Sequence, residues 1–395
     1  MRILFLAPTI RLGDTTGDAI HVSEEVTGLQ AKGNRLMVLV GNRGELDPLA
    51  AGTDLYELEF ERSYESFRDL ARYAITALKA LGLAVLLSRN FHPQAIYERH
   101  VFLDLGPFLS KLFRVPCVVE LNGLASVERP GYDARLMRLS HFISWLECAT
   151  LRRHSAYVCV TNQLANLVRS LPRSESAAKI IVTGNGADVR LFTPGNAPPA
   201  DFGLPSGKYV VFVGHLVKWQ GLDWMVRAMS DVVATIPSAH LLIIGMGPEM
   251  TNLKSLVHQL SLDNKVTFQG PVRHSDVPPF LRLASVCVSP ATAESGGAGE
   301  LKGSSPIKIF EYMAAGKPVI LTRIGEISDV IDREHLGTVV EFGDTLALTA
   351  AVCKYLEGGG VAREDGMRGR DWVVENQSWE RIVERIDKLL VSVRG

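Results

Sequence analysis

Ser305–Pro318, SPIKIFEYMAAGKP, decides the fold. It reads as a helix carrying a carboxylate, Glu311, at its start, closing on Gly316 and giving way to a strand, Pro318–Leu321. The Gly/Ser-rich run Glu294–Ser305 leads into that helix and presents bare backbone to an anion. Helix N-termini attract phosphate oxygens through unpaired N–H groups and the helix dipole. A carboxylate one turn further in repels phosphate but accepts hydrogen bonds from a ribose. Together they imply a nucleotide site, with Ser304, Ser305, Lys308 and Glu311 as its candidates.

Outward from this segment the chain alternates strand and helix. Ile3–Ala7, Leu36–Val40, Ala95–Tyr97, Cys117–Leu121, Tyr157–Val160 and Ile180–Val182 are short apolar runs. Between them lie stretches of helical period: Ala19–Lys32, Phe102–Phe113 and Leu136–His154. Such alternation predicts a doubly wound α/β fold with a parallel sheet. Thr193–Lys208 holds four prolines and three glycines and reads as a linker. Beyond it the alternation restarts, with strands Tyr209–Val213, Leu241–Ile244, Val266–Phe268, Val286–Val288 and Val319–Leu321 and helices Leu222–Ala234 and Pro248–Leu260. The expectation is two Rossmann-like domains, residues 1–192 and 207–375, with a terminal helix within 376–395.

Composition narrows the class. A chain of 395 residues exceeds what one core usually supports. A net charge of -1 argues against nucleic acid. Cys117, Cys148, Cys159, Cys287 and Cys353 lack metal-site spacing and read as thiols in a reducing, cytoplasmic setting. The start, MRILFLAPT, reads as a strand rather than a leader, and no apolar run reaches the ~18 residues of a membrane span. Ser66–Arg89 sets Arg68, Arg72, Lys79 and Arg89 among apolar residues. It is either a core helix with a solvated basic face or a peripheral contact with an anionic membrane.

Ligands of parallel sheets bind beyond the carboxyl ends of strands. There the chain offers Pro8–Ala19 with Gly13, Gly17 and Asp18; Val213–Asp223 (VGHLVKWQGLD) with Gly214, His215 and Lys218; and Ile243–Glu249 (IIGMGPE) with Gly245 and Gly247. Each also reads as an ordinary loop.

In order and spacing, Gly184–Asp188 (GNGAD) with Phe192 and Pro194, then VGHLVKWQGLD, LLIIGMGPE, VTFQGPV, FEYMAAGKPVI and Gly325-Glu326-Ile327 resemble the retaining GT-B glycosyltransferases of family four, the group 1 type. The N-terminal GDAIHVSEEVTGLQAKGNRLMVLV and the YERH and VPCVVELNG segments resemble that family's acceptor domain. The resemblance implies two domains facing a cleft, a nucleotide-sugar donor held by the second, a hydroxyl acceptor, no required metal, and a last helix that returns to the first domain. UDP is favoured as the commonest donor nucleotide of the family. Where the family has two acidic residues eight apart, Glu311 matches the second, the ribose ligand, and Gly303 stands at the first. Glu300 or Glu294 is a candidate substitute at the donor sugar. His215 and Gln220 stand where the family carries an Arg and a Lys that neutralise the leaving diphosphate, leaving Lys218 as the candidate replacement. Lys308 either assists it or lies exposed on its helix. Asn122, flanked by Glu120 and Glu128, replaces a histidine and is placed to meet a sugar hydroxyl. A non-catalytic nucleotide-sugar binder and a sugar-nucleotide epimerase on the same fold stay open as alternatives.

Overall fold

The computed structural model describes residues 1–13, 16–43, 53–58, 67–101, 103–124, 140–171, 179–292 and 305–394. The chain divides into two compact units. One comprises Met1–Gly184 and Trp379–Gly395, the other Asn185–Ser295 and Ser304–Ser378, as far as their residues are described.

The first unit runs β1 (Arg2–Leu12), α1 (Gly17–Ala31), β2 (Arg35–Arg43), β3 (Asp54–Glu57), α2 (Phe67–Phe91), β4 (Ala95–Arg99), α3 (Gly106–Phe113), β5 (Cys117–Leu121), α4 (Ser140–Leu151), β6 (Ala156–Cys159), α5 (Asn162–Ser170) and β7 (Lys179–Val182). Its strands form one sheet in the order β3-β2-β1-β4-β5-β6-β7. Every pair is parallel. Ile3–Ala7 and Cys117–Leu121 are buried throughout, because a strand covered on both faces needs an unbroken apolar run.

The second unit runs β8 (Lys208–Val213), α6 (Leu222–Thr235), β9 (Ala239–Ile244), α7 (Met250–Gln259), β10 (Val266–Gly270), α8 (Val277–Leu283), β11 (Ala284–Ser289), α9 (Ile307–Ala314), β12 (Val319–Thr322), α10 (Gly325–Arg333), β13 (Gly337–Val340), α11 (Thr345–Glu357) and α12 (Gly360–Asn376). Its parallel sheet has the order β10-β9-β8-β11-β12-β13. The order reverses beside β8, with β9 on one flank and β11 on the other.

The last helix, α13 (Trp379–Arg394), belongs to the first unit, where it packs on α1, β6 and β7. Ile382, Val383, Ile386, Leu389 and Leu390 form its buried stripe. Their burial is worth on the order of 10 kcal/mol before chain entropy is set against it. α1 admits the helix at Gly28, where any side chain would overlap Val383.

Several expectations need correction. Pro8–Leu12, expected in a loop, continues β1, because Arg11 and Leu12 pair with Asn42 and Arg43. Phe102–Phe113 is helical only from Gly106, because the Glu98 carboxylate accepts the Leu105 and Gly106 N–H groups and caps the helix there. Pro248 lies in the turn before α7, not in it. Thr193–Lys208, expected as a linker, packs onto the second unit: Phe202 meets Phe280, and Lys317 holds the Gly195 carbonyl. β3 and β13 went unforeseen, being four residues long and mostly half-buried.

Candidate functional site

In the second unit the carboxyl ends of β8, β11 and β12 meet where the strand order reverses, the position at which open α/β sheets bind ligands. α9 is fixed there by two contacts. The Tyr312 hydroxyl accepts the Val213 N–H at 2.8 Å and so seats the helix on β8. Arg370 of α12 donates to the Ala314 carbonyl, at the helix's far end, and to the carbonyls of Phe192 and Val189. The N-cap of α9 is Pro306, whose side chain makes no capping bond, and the leading N–H groups lie at the positive end of the helix dipole.

Lys308 is part-buried rather than displayed on the outside of α9. Its Nζ donates to Gln220 Oε1 at 2.5 Å and sits 4.1 Å from the centre of the Phe212 ring. A Cβ on Gly214 would be 3.3 Å from it. Burial pushes the ammonium down to about 7, with Glu311 pulling the other way. A pocket of about 160 Å³ opens here, lined by Trp219, Gln220, Ser289, Lys308, Ile309 and Thr322 among others. Lys308 is the one charged residue among its described lining.

Glu311 is buried, and its Oε1 lies 2.5 Å from Nε2 of His274, whose ring packs 5.3 Å from that of Phe192. Sequence reasoning missed His274, which comes from a short 3-10 turn after β10 and sits 37 residues away in the chain. Its signal was faint: one histidine just past a strand end.

The other expected donor residues divide. Gly214 and Gly245 do not offer their amides to a ligand, because the Gly214 N–H donates to Ile244 and that of Gly245 to Gly270. They serve close approach instead. At φ 133°, Gly245 lies against the Gly214 carbonyl, where a side chain would overlap it. Gly247 packs in the same way on Leu216. Ser305 Oγ accepts the Asn185 N–H at 3.1 Å, tying the entrance of α9 to the GNGAD segment. His215 is exposed. Lys218 is exposed too and lines a different groove, with Asp223, Arg227 and Glu249. That placement removes it from the crevice pocket: the 3-10 turn Lys218–Gln220 sends Gln220 inward and Lys218 out. Glu294, Glu300, Gly303 and Ser304 lie outside the described residues, as does Glu128.

In the first unit, Gly17 opens α1 and Asn122 follows β5. Asp18 is not the N-cap; Thr16 is, without a side-chain bond. Behind Asn122 lies a buried cluster that the sequence did not disclose. His21 Nε2 lies between Glu25, at 3.2 Å, and Glu120, in closer contact, while Tyr97 donates to Glu25 at 2.8 Å and Arg99 approaches Glu120 at 3.5 Å. Burial alone would lower the His21 pKa, but the two carboxylates win and raise it to about 10. His100 is held likewise by Asp104 at 3.0 Å and Glu147 at 2.9 Å, and it too rises to about 10 against the pull of burial. The one available signal was spacing: His21 and Glu25 are i,i+4 on α1, and Tyr97 and Arg99 share a face of β4.

Two described clusters have ligand atoms close enough to hold a metal, His21–Glu25–Glu120 and Glu98–Cys117–His154. Neither donor set favours one. His21 carries a proton between its carboxylates. Burial raises the Cys117 thiol well above its usual range, and Glu98 already caps α3.

Residues 207–358 match the family described as glycosyl transferases, group 1. The match covers most of the second unit. A D-inositol 3-phosphate glycosyltransferase of Arthrobacter sp. is 30% identical over 294 residues, 70% of this chain and 65% of the relative. A GDP-mannose-dependent phosphatidylinositol monomannoside mannosyltransferase of Mycolicibacterium smegmatis is 29% identical over 193 residues, 49% of this chain and 50% of the relative. The chain thus spans about half the length of that mycobacterial relative. In fold, it resembles a sucrose-phosphate synthase of Thermosynechococcus elongatus, with a TM-score of 0.75 and 22% identity over 99% of this chain and 98% of that one. It also resembles HepE of Anabaena in complex with UDP-glucose, with a TM-score of 0.73 and 18% identity over 99% and 100%. The fold is GT-B, with two parallel α/β sheets.

Proposed function

We propose that this protein transfers a glycosyl group, with retention, from a nucleoside diphosphate sugar to a hydroxyl acceptor. One observation carries the reading. At the reversal of strand order in the second unit, an uncapped helix start, a part-buried lysine and a buried carboxylate stand within two turns of one helix, α9. That is the set a diphosphate and a ribose require. Glu311 receives the ribose hydroxyls, with His274 holding its other side. Asn122 at the end of β5 is the acceptor-side candidate. UDP is favoured for its frequency in the family, and GDP is the competing base, since the mycobacterial relatives are named as GDP-mannose-dependent.

The acceptor is proposed to be lipid-linked. α2 exposes Ile75, Leu78 and Leu86 beside Lys79 and Arg89, and α3 exposes Phe108 and Leu112 beside Lys111 and Arg114. Exposed apolar residues interleaved with cations suit the headgroup region of an anionic membrane. No described helix is long and apolar enough to cross one. Peripheral attachment on the cytoplasmic face is the matching location.

A thermal-shift screen with UDP, GDP, ADP and their sugars, in EDTA, tests the donor assignment, because ligand binding raises apparent stability by mass action. A stabilising nucleotide that needs no metal is the expected result, followed by radiolabelled transfer to lipid extracts. No shift with any nucleotide overturns the reading.

A further inference from the structure

At the edge of the second unit's sheet opposite the crevice lies a larger cavity, of about 720 Å³. Lys208 opens β8 there, Ala284 opens β11, and Gly316 and Lys317 lead from α9 into β12. Four cations line it, Lys208, Arg282, Lys317 and Arg363, and its described lining holds no Asp or Glu. The whole chain carries a net charge of -1, so this excess of cations is local. None of the four forms an ion pair among the described residues.

Helix ends account for part of the cluster. α8, α9 and α11 end at the cavity, and carbonyl ends attract cations. Lys317 Nζ donates to the carbonyls of Arg282 at 2.9 Å and Gly195 at 3.1 Å, and Lys208 Nζ to that of Glu357 at 3.5 Å. Arg282 donates to the Thr193 hydroxyl at 3.1 Å. Arg363 has no such account. It is the fourth residue of α12, at the end where the dipole disfavours a cation. The N-cap there is Gly359, which has no side chain to make a capping bond, and a Cβ on Gly358 or Gly359 would meet nothing within 4 Å. Lys317 is only 8% exposed, an ammonium drawn out of water and held by neutral carbonyls. The nearby Cys287 thiol, pushed up to about 12 by burial, supplies no charge to it. Glu364 and Asp365 follow Arg363 in α12 without lining the cavity, and Asp365 is already held by Tyr355, Arg368 and Lys354. An anion in the cavity offsets both the buried ammonium and the clash of Arg363 with its helix dipole.

We propose that this cavity binds a small phosphorylated metabolite, held by Arg363, Lys208, Arg282 and Lys317. Its volume falls within the range of small-molecule pockets, roughly 300–1,000 Å³, and exceeds what a bare phosphate fills. Leu283, Leu356 and Met367 also line it and suit the organic part of such a ligand. The site binds rather than catalyses. Its described lining has no carboxylate, imidazole or thiol, and the Tyr355 hydroxyl, its pKa raised by burial, is bound to Asp365 at 2.7 Å. α9 begins at the crevice and ends at this cavity, so the ligand reaches the far end of the helix that carries Lys308 and Glu311. That placement suits an effector. The site does not depend on the transferase reading above.

The test is calorimetric titration of ribose 5-phosphate, inorganic phosphate and free ribose into wild type, Lys308→Met, Lys208→Gln/Arg363→Gln and Arg363→Glu. Ribose 5-phosphate is expected to bind wild type and Lys308→Met equally. The double variant and Arg363→Glu are expected to lose about tenfold or more, the scale of a charge-assisted bond. Arg363 is exposed, so Arg363→Glu keeps the fold even where the double variant does not, and its thermal midpoint checks this. A loss in Lys308→Met alone assigns the phosphate to the crevice and overturns the proposal. Equal affinity in all four proteins overturns it, as does the absence of phosphate binding at millimolar concentration. Free ribose binding as tightly as its phosphate removes the anion from the argument and overturns it too.

Discussion

Two sites, one in each unit, treat a cation drawn in from water in opposite ways. In the first, each imidazolium sits between carboxylates: His21 between Glu25 and Glu120, His100 between Asp104 and Glu147. In the second, Lys308 is turned toward a neutral amide. A charge compensated from within the protein holds elements together, here α1 to β5 and β4 to α4. A charge left uncompensated is a site waiting for a ligand. By this contrast we read the first unit's clusters as structural and the second unit's lysine as the candidate for a ligand.

The contrast breaks first, and most visibly, at His21. Its replacement by Ala strands two buried carboxylates and is expected to cost about 3–5 kcal/mol in urea unfolding of the first unit. A loss below about 1 kcal/mol would remove the structural reading. Lys308→Met should do the opposite to the ligand-free protein, leaving the thermal midpoint unchanged or higher, since an unpaired charge is taken out. A large drop in the midpoint would erase the distinction. pH sharpens the same point. His21 and His100 have folded pKa values of about 10, above the unfolded 6.5. Their stabilisation is therefore complete below about 6.5 and is lost as pH rises through 10. A thermal midpoint for the first unit that is flat between pH 7 and 10.5 would contradict it.

Smaller effects belong to the second unit. Glu311→Ala should weaken nucleotide and nucleoside binding alike by about 1–3 kcal/mol, because the ribose is common to both. Unchanged affinity in titration would sink the ribose assignment. Lys218→Ala should change diphosphate affinity least, within about 0.5 kcal/mol, as for other exposed side chains. A tenfold loss would return Lys218 to the site.

Much of this was legible in the chain. The buried central strands are unbroken apolar runs, so both sheets could be read, and the α9 segment declared its helix, its carboxylate and its following strand. The four-residue edges β3 and β13 were not, because a half-buried strand has neither a continuous apolar run nor enough length to show alternation. The site was legible in its parts and not in its pairings. Lys308 and Gln220 lie 88 residues apart, and His274 and Glu311 lie 37 apart, so only the fold brings them together. Lys218 and Gln220 sit two positions apart on one turn yet face different pockets, which the string KWQ cannot reveal. Gly214 and Gly245 stood among the donor-binding candidates, but their N–H groups are engaged by Ile244 and Gly270.

The second unit begins and ends in contact with itself. Ala187 bridges to Ser378, and the Ala187 N–H donates to the Gln377 carbonyl at 3.1 Å. The described residues proposed above to read the donor all lie within one continuous stretch whose two ends are side by side. On the proposed reading, an exchange of that stretch between relatives is expected to carry the donor preference with it. The second unit has the termini of a cassette, entering and leaving the chain at one place.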